Sequence, residues 1–166
     1  NAGAELVLLA EILNAPVFVT PASKGIIPST HPLSAGPIGP AVDDSTLSMA
    51  HQASAVLSVG CSLSQRTTEN WKLRLPKELI QIDIEEKQIG RNYPVRIGIV
   101  ADARTALEQI ISVIDNDKLA PQNEWDIATH KSRPSGTPDC HRNTHQEIVR
   151  ILRSIIDEKA ILAVSG

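Results

Sequence analysis

Aromatic side chains are nearly missing from this sequence: one Phe, one Tyr and two Trp make up 2% of its 166 residues. A core must therefore be built from aliphatic residues and alanine, and the hydrophobic share of 42% is enough for one. Cysteine is as scarce. Cys61 and Cys140 stand far apart and form neither a CxxC pair nor a disulfide framework, so they read as free thiols of a reducing cytosol. Net charge is −3 with no run of Lys and Arg, which leaves no basic patch for nucleic acid or for an anionic membrane. No apolar run approaches the roughly 20 residues of a membrane-spanning helix. No basic n-region of a signal peptide opens the chain. G-x-G-x-x-G, the Walker A lysine loop and H-E-x-x-H are all missing. A cytoplasmic protein is expected, with neither nucleic acid nor membrane as a partner.

What is present alternates between helix and strand. Leu6, Leu9, Ala10 and Leu13 recur at helical spacing within residues 3–13, and Asn14 can close that helix. Pro16-Val17-Phe18-Val19 reads as a short buried strand ending at Thr20. Residues 20–40 carry five prolines, which exclude a regular helix or an inner strand. A loop this long in a compact domain is usually functional or disordered. His31 lies in it, with no Cys, Asp or His at metal-ligand spacing, and reads as a packed or capping side chain. A helix over 43–53 and a strand over 55–59 follow, then Gly60 and the small hydroxyl residues of Gly60-Cys61-Ser62-Leu63-Ser64. A glycine and small residues after a strand suit a turn that contacts phosphate or ribose. Trp71 is expected to pack near Pro76.

The stretch from Leu79 to Ala103 is the most informative. Leu79-Ile80-Gln81-Ile82 ends in Asp83, a short helical signal spans 85–89, and an apolar run from Val95 to Val100 ends in Ala101-Asp102. Buried strands joined by a short crossover imply a parallel sheet. Ligands of such sheets bind beyond the carboxyl ends of the strands, where Asp83 and Asp102 would both lie. Each aspartate is equally placed to cap the helical turn after it, and the two roles are compatible. Beyond Asn116 come Pro121, a short helix over 125–131, a Ser/Pro/Gly-rich stretch, a helix over 145–156 and a last apolar run, Ala160 to Val164. Cys140, His141 and His145 sit near the Ser/Pro/Gly-rich stretch and read as solvated rather than as metal ligands.

Three segments together, Gln81-Ile82-Asp83-Ile84-Glu85, Ile89-Gly90-Arg91-Asn92-Tyr93-Pro94-Val95 and Ile99-Val100-Ala101-Asp102-Ala103, resemble the central domain of thiamine-diphosphate enzymes of the acetolactate synthase type. Lys24-Gly25, Pro28, His31-Pro32-Leu33, Gly36 and Gly39 are similar in order to that domain's loop after its second strand. Gly60 and Arg66 match the ends of its nucleotide turn, although Ser62-Leu63-Ser64-Gln65 depart from the family's Arg-Phe-Asp-Asp.

The resemblance implies a three-layer, Rossmann-like α/β fold: a parallel sheet of about six strands with helices on both faces. It implies a central domain over residues 1–116, a linker over 117–142, and the first helix and strand of a diphosphate-binding domain over 143–166. Thiamine diphosphate and Mg²⁺ would bind in other parts of a longer parent enzyme, a transferase or lyase acting on 2-keto acids or related donors. This segment would be non-catalytic. An FAD or ADP site is implied at Thr20, Gly60, Ser62, Arg66, Asp83, Ile84, Asp102 and Ala103, and the partners would be the rest of the parent chain in a homodimer or homotetramer. The alternatives are a stand-alone Rossmann-like nucleotide-binding module and a structural interaction module. A doubly wound sheet also needs a strand before residues 3–13, and Ala160 to Val164 is the expected occupant of that central slot.

Overall fold

In the computed structural model, the structure describes residues 2–39, 42, 44–117, 125 and 127. The chain divides between Ser135 and Gly136, and everything described belongs to the first unit. Helix α1 (Gly3–Leu13) ends at Asn14, whose φ of 47° is the left-handed conformation that closes a helix. Leu9 and Ala10 are buried as their spacing predicts, whereas Leu13 is 36% exposed at the last turn.

Strand β1 (Val17–Val19) runs parallel to β2 (Ser34–Pro37). β2 lies inside the proline-rich stretch and has no counterpart among the sequence expectations. Among the described residues it pairs on one side only, with β1, so there it is an edge strand and the missing N–H of Pro37 leaves no gap in an inner ladder. Between these strands, His31 ties the loop to α1: Nε2 lies 3.1 Å from Glu11 Oε1 and Nδ1 accepts from the Leu33 N–H at 3.1 Å. This is the packed role expected of His31.

Helix α2 (Asp44–Gln52) leads into β3 (Ala55–Val59), then β4 (Glu78–Asp83) and β5 (Ile97–Val100). These three form one parallel sheet in the order β3-β4-β5, with Ser58 opposite Gln81 and Asp83 opposite Val100. β4 is central, and Leu79 and Ile82 have no exposed surface. The expected helix over 85–89 is a single 3-10 turn, Glu86–Gln88. Helix α3 (Ala103–Asp117) buries Ala106 and Leu107 and packs against α1 and β4. Arg104 Nε bridges Glu5 Oε1 at 3.0 Å and Glu108 Oε1 at 2.9 Å.

The architecture is thus parallel α/β, with five strands described, in a two-stranded and a three-stranded sheet. Among the described residues, β1 and β3 are each paired on one side only. A second apolar cluster joins Ala10, Leu33, Met49 and Ile127, with Phe18 and Trp125 against it. The strand expected over Ala160 to Val164 lies outside the described residues. So do the helix over 145–156 and the group Cys140, His141 and His145. Among the described residues no helix is long and apolar enough to cross a membrane.

Candidate functional site

Because all three strands of the larger sheet run in one direction, their carboxyl ends share an edge. Gly60 follows β3, Asp83 closes β4 with Ile84 next, and Asp102 and Ala103 stand just past β5. The Gly60 N–H donates to Ile82 O at 2.8 Å and the Ala101 N–H to Asp83 O at 3.1 Å, which laces the three strand ends together. Thr20 follows β1 in the smaller sheet. Gly39 connects the two regions: a Cβ there would lie 3.7 Å from the Arg66 carbonyl oxygen and 3.8 Å from Pro21 Cδ. Its φ of +136° also excludes most other residues.

Asp102 takes the capping role, whereas Asp83 closes an Asx turn, because the 3-10 turn after it has Glu85 at its N-cap with no side-chain cap bond. Asp83 Oδ1 accepts the Glu85 N–H at 3.0 Å. Asp102 Oδ1 accepts the Thr105 N–H at 3.1 Å and stands 3.4 Å from the Thr105 hydroxyl, capping α3. Each engages one carboxylate oxygen in this way. Ile84 is 75% exposed, an apolar side chain standing beside Asp83 at the strand edge. Arg66 faces a shallow cleft with Gln65, Glu69 and Asn70.

The loop after β3 is shaped from beneath. Gly60 and Leu63 have φ of 59° and 47°. Ser58 Oγ and Gln81 Nε2 donate to the Cys61 carbonyl at 3.3 and 3.2 Å, and Asn92 Nδ2 donates to the Ser62 carbonyl at 2.7 Å. Burial pushes the Cys61 thiol up. The Asp83 carboxylate adds to that, while hydrogen bonds from Leu63 and Ser58 oppose it. Val59 stands opposite Ile82 and the Gly60 N–H bonds Ile82 O, which brings the Gly60 turn beside the end of β4 at Asp83.

Gln81 and Asn92 were not among the residues expected at the site. The signal for Gln81 was legible: a polar side chain inside Leu79-Ile80-Gln81-Ile82 requires buried partners. It has three, adding the Gln88 carbonyl at 3.1 Å and the Gly90 N–H at 2.9 Å to Cys61. Trp71, expected near Pro76, has its ring 6.0 Å from that of Tyr93. Among the described residues no three His, Cys, Asp or Glu side chains are grouped to hold a metal ion.

A family model, the thiamine pyrophosphate enzyme central domain, matches residues 1–110. The chain belongs to this family. It is 31% identical over 172 residues to the probable acetolactate synthase large subunit of Methanococcus aeolicus, which covers 95% of this chain and 29% of that protein. It is 31% identical over 164 residues to the probable 2-ketoarginine decarboxylase of Pseudomonas aeruginosa, covering 96% of this chain and 27% of that protein. The sulfoacetaldehyde acetyltransferase of Rhodobacter capsulatus is 34% identical over 140 residues, 78% of this chain and 23% of its own length. The chain thus spans less than a third of the length of these relatives.

Proposed function

We propose that this chain is the non-catalytic central domain of a thiamine-diphosphate-dependent carboligase or decarboxylase acting on 2-keto acids or related donors. Relatives named as an acetolactate synthase, a 2-ketoarginine decarboxylase and an acetyltransferase support that breadth and do not choose among substrates. Thiamine diphosphate supplies an electron sink for breaking the bond beside a carbonyl. No residue of this chain is assigned to it or to Mg²⁺, and both would bind elsewhere in the parent enzyme. Residues 117–142 would link to a diphosphate-binding domain beginning at 143–166, in a cytoplasmic homodimer or homotetramer. A continuous sheet of about six strands would arise if one more strand paired between β1 and β3, with helices on both faces.

We further propose that the carboxyl edge of the strands holds an ADP moiety, either ADP itself or that of FAD. Thr20, Gly60, Ser62, Arg66, Asp83, Ile84, Asp102 and Ala103 would form the contacts. The observation that carries this reading is that the glycine turn after β3 lies beside the end of β4, where Asp83 engages the Glu85 N–H through Oδ1. Such an edge fits phosphate on backbone N–H groups and a ribose hydroxyl on a carboxylate. Calorimetric titration of the complete protein with ADP and with FAD tests it. Saturable binding of either supports the site, and a flavin spectrum in the purified protein would select FAD. Binding of neither leaves a structural interaction domain.

A further inference from the structure

We propose that Asn92 and Gln81 are positioning residues which preset the Ser62 amide N–H for a phosphate group. The inference deepens the nucleotide reading above and rests on it.

The geometry starts from peptide planarity. The carbonyl of one residue and the N–H of the next point in opposite directions across a trans peptide, and the described chain has no cis peptide. The Cys61 carbonyl is held by Ser58 Oγ at 3.3 Å and by Gln81 Nε2 at 3.2 Å. The Ser62 N–H on the same peptide is therefore turned away from β4, and among the described residues it has no protein acceptor. One peptide further on, Asn92 Nδ2 holds the Ser62 carbonyl at 2.7 Å. Two consecutive peptides are thus fixed by side chains that lie outside the loop. Gly60 at φ 59° and Leu63 at φ 47° bracket them, the kind of turn from which backbone N–H groups converge on an anion.

Gln81 also fixes the segment that carries Asn92. Its Nε2 donates to the Gln88 carbonyl at 3.1 Å and its Oε1 accepts the Gly90 N–H at 2.9 Å, two residues before Asn92. The support runs from the middle of β4 to the turn at 88–92 and back to the loop after β3. A donor held in place before the ligand arrives avoids an ordering cost on binding.

The test measures affinities of ADP and of adenosine for the complete protein and its Asn92→Leu variant, which keeps the side chain's approximate volume and removes its donor without adding a charge. The expected result is an ADP affinity lower by about three- to tenfold, the worth of one hydrogen bond. Adenosine affinity should stay within about twofold, because adenosine has no phosphate for the loop to hold. A merely structural role would lower both affinities together, and that outcome overturns the proposal, as does no change in either. Asn92→Ala serves as the second variant if Asn92→Leu does not fold. Wild-type protein that binds neither ligand defeats the nucleotide reading itself. ADP binding that is indifferent to Asn92 defeats only this inference.

Discussion

Gln81 Nε2 donates to the carbonyl of Cys61 at 3.2 Å, so a residue in the middle of β4 holds the loop that leaves β3. Gln81 is 2% exposed, and its partners lie in two different connections. Gln81→Met keeps the volume and removes every hydrogen bond. It strands the Gly90 N–H and is expected to destabilise the domain by about 1–3 kcal/mol. Urea unfolding checks this, and a variant as stable as wild type would mean that water replaces the lost partners.

Gly98 lies on β5 directly against Ile89, and a Cβ added there would run into Ile89 Cγ2. Gly98→Ala is expected to destabilise by about 1–3 kcal/mol through overpacking. The double variant Gly98→Ala with Ile89→Ala should recover part of that loss. Thermal midpoints of the single and double variants read this out, and purely additive losses would refute the contact.

Asp102 caps α3 through Thr105. Asp102→Ala should cost about 0.5–2 kcal/mol, and Asp102→Asn much less, because asparagine caps nearly as well. If both variants lose the same stability, the carboxylate matters for something other than capping.

Cys61 carries the pH prediction. Burial, and then the charge of Asp83, raise the thiol's pKa, so the folded protein holds that proton more tightly than the unfolded chain does. The stabilisation is fully present below the unfolded thiol value of about 8.5 and is lost as pH rises through the higher folded value. Chemical unfolding between neutral pH and about pH 10 should show wild type losing more stability than Cys61→Ser on the alkaline side. Parallel curves for the two proteins would contradict it.

The larger sheet was legible because its strands are short, mainly aliphatic runs. The expected run Leu79 to Ile82 lies within β4, Glu78–Asp83, and 55–59 became β3 with its expected bounds. Central β4 is buried as such a run predicts, whereas β5, expected as a buried strand, leaves Ile97 49% and Val100 55% exposed. β2 was not legible, since Ser34-Ala35-Gly36-Pro37 has almost no strand propensity and is held by its register with β1. The places of the candidate residues along the strand ends were legible, but the hydrogen bonds around them were not. Thr20, Gly60, Asp83 and Asp102 could be placed by counting from apolar runs. The grip of Asn92 on Ser62 spans 30 residues of sequence and depends on where a turn returns to the sheet. Local spacing does not encode that return.

The break between β1 and β3 has a consequence for how the molecule opens. Among the described residues, β4 exchanges backbone hydrogen bonds with a strand on either side, whereas β1 has β2 alone. The domain should not loosen as a single block. Amide protons of β4 would be the last to exchange with solvent, and those of β1 and β2 would be released together, earlier, as one small unit. Anything that lays a further strand along β1 and β3 would merge those two events, so a single shared exchange rate would mark the sheet's completion.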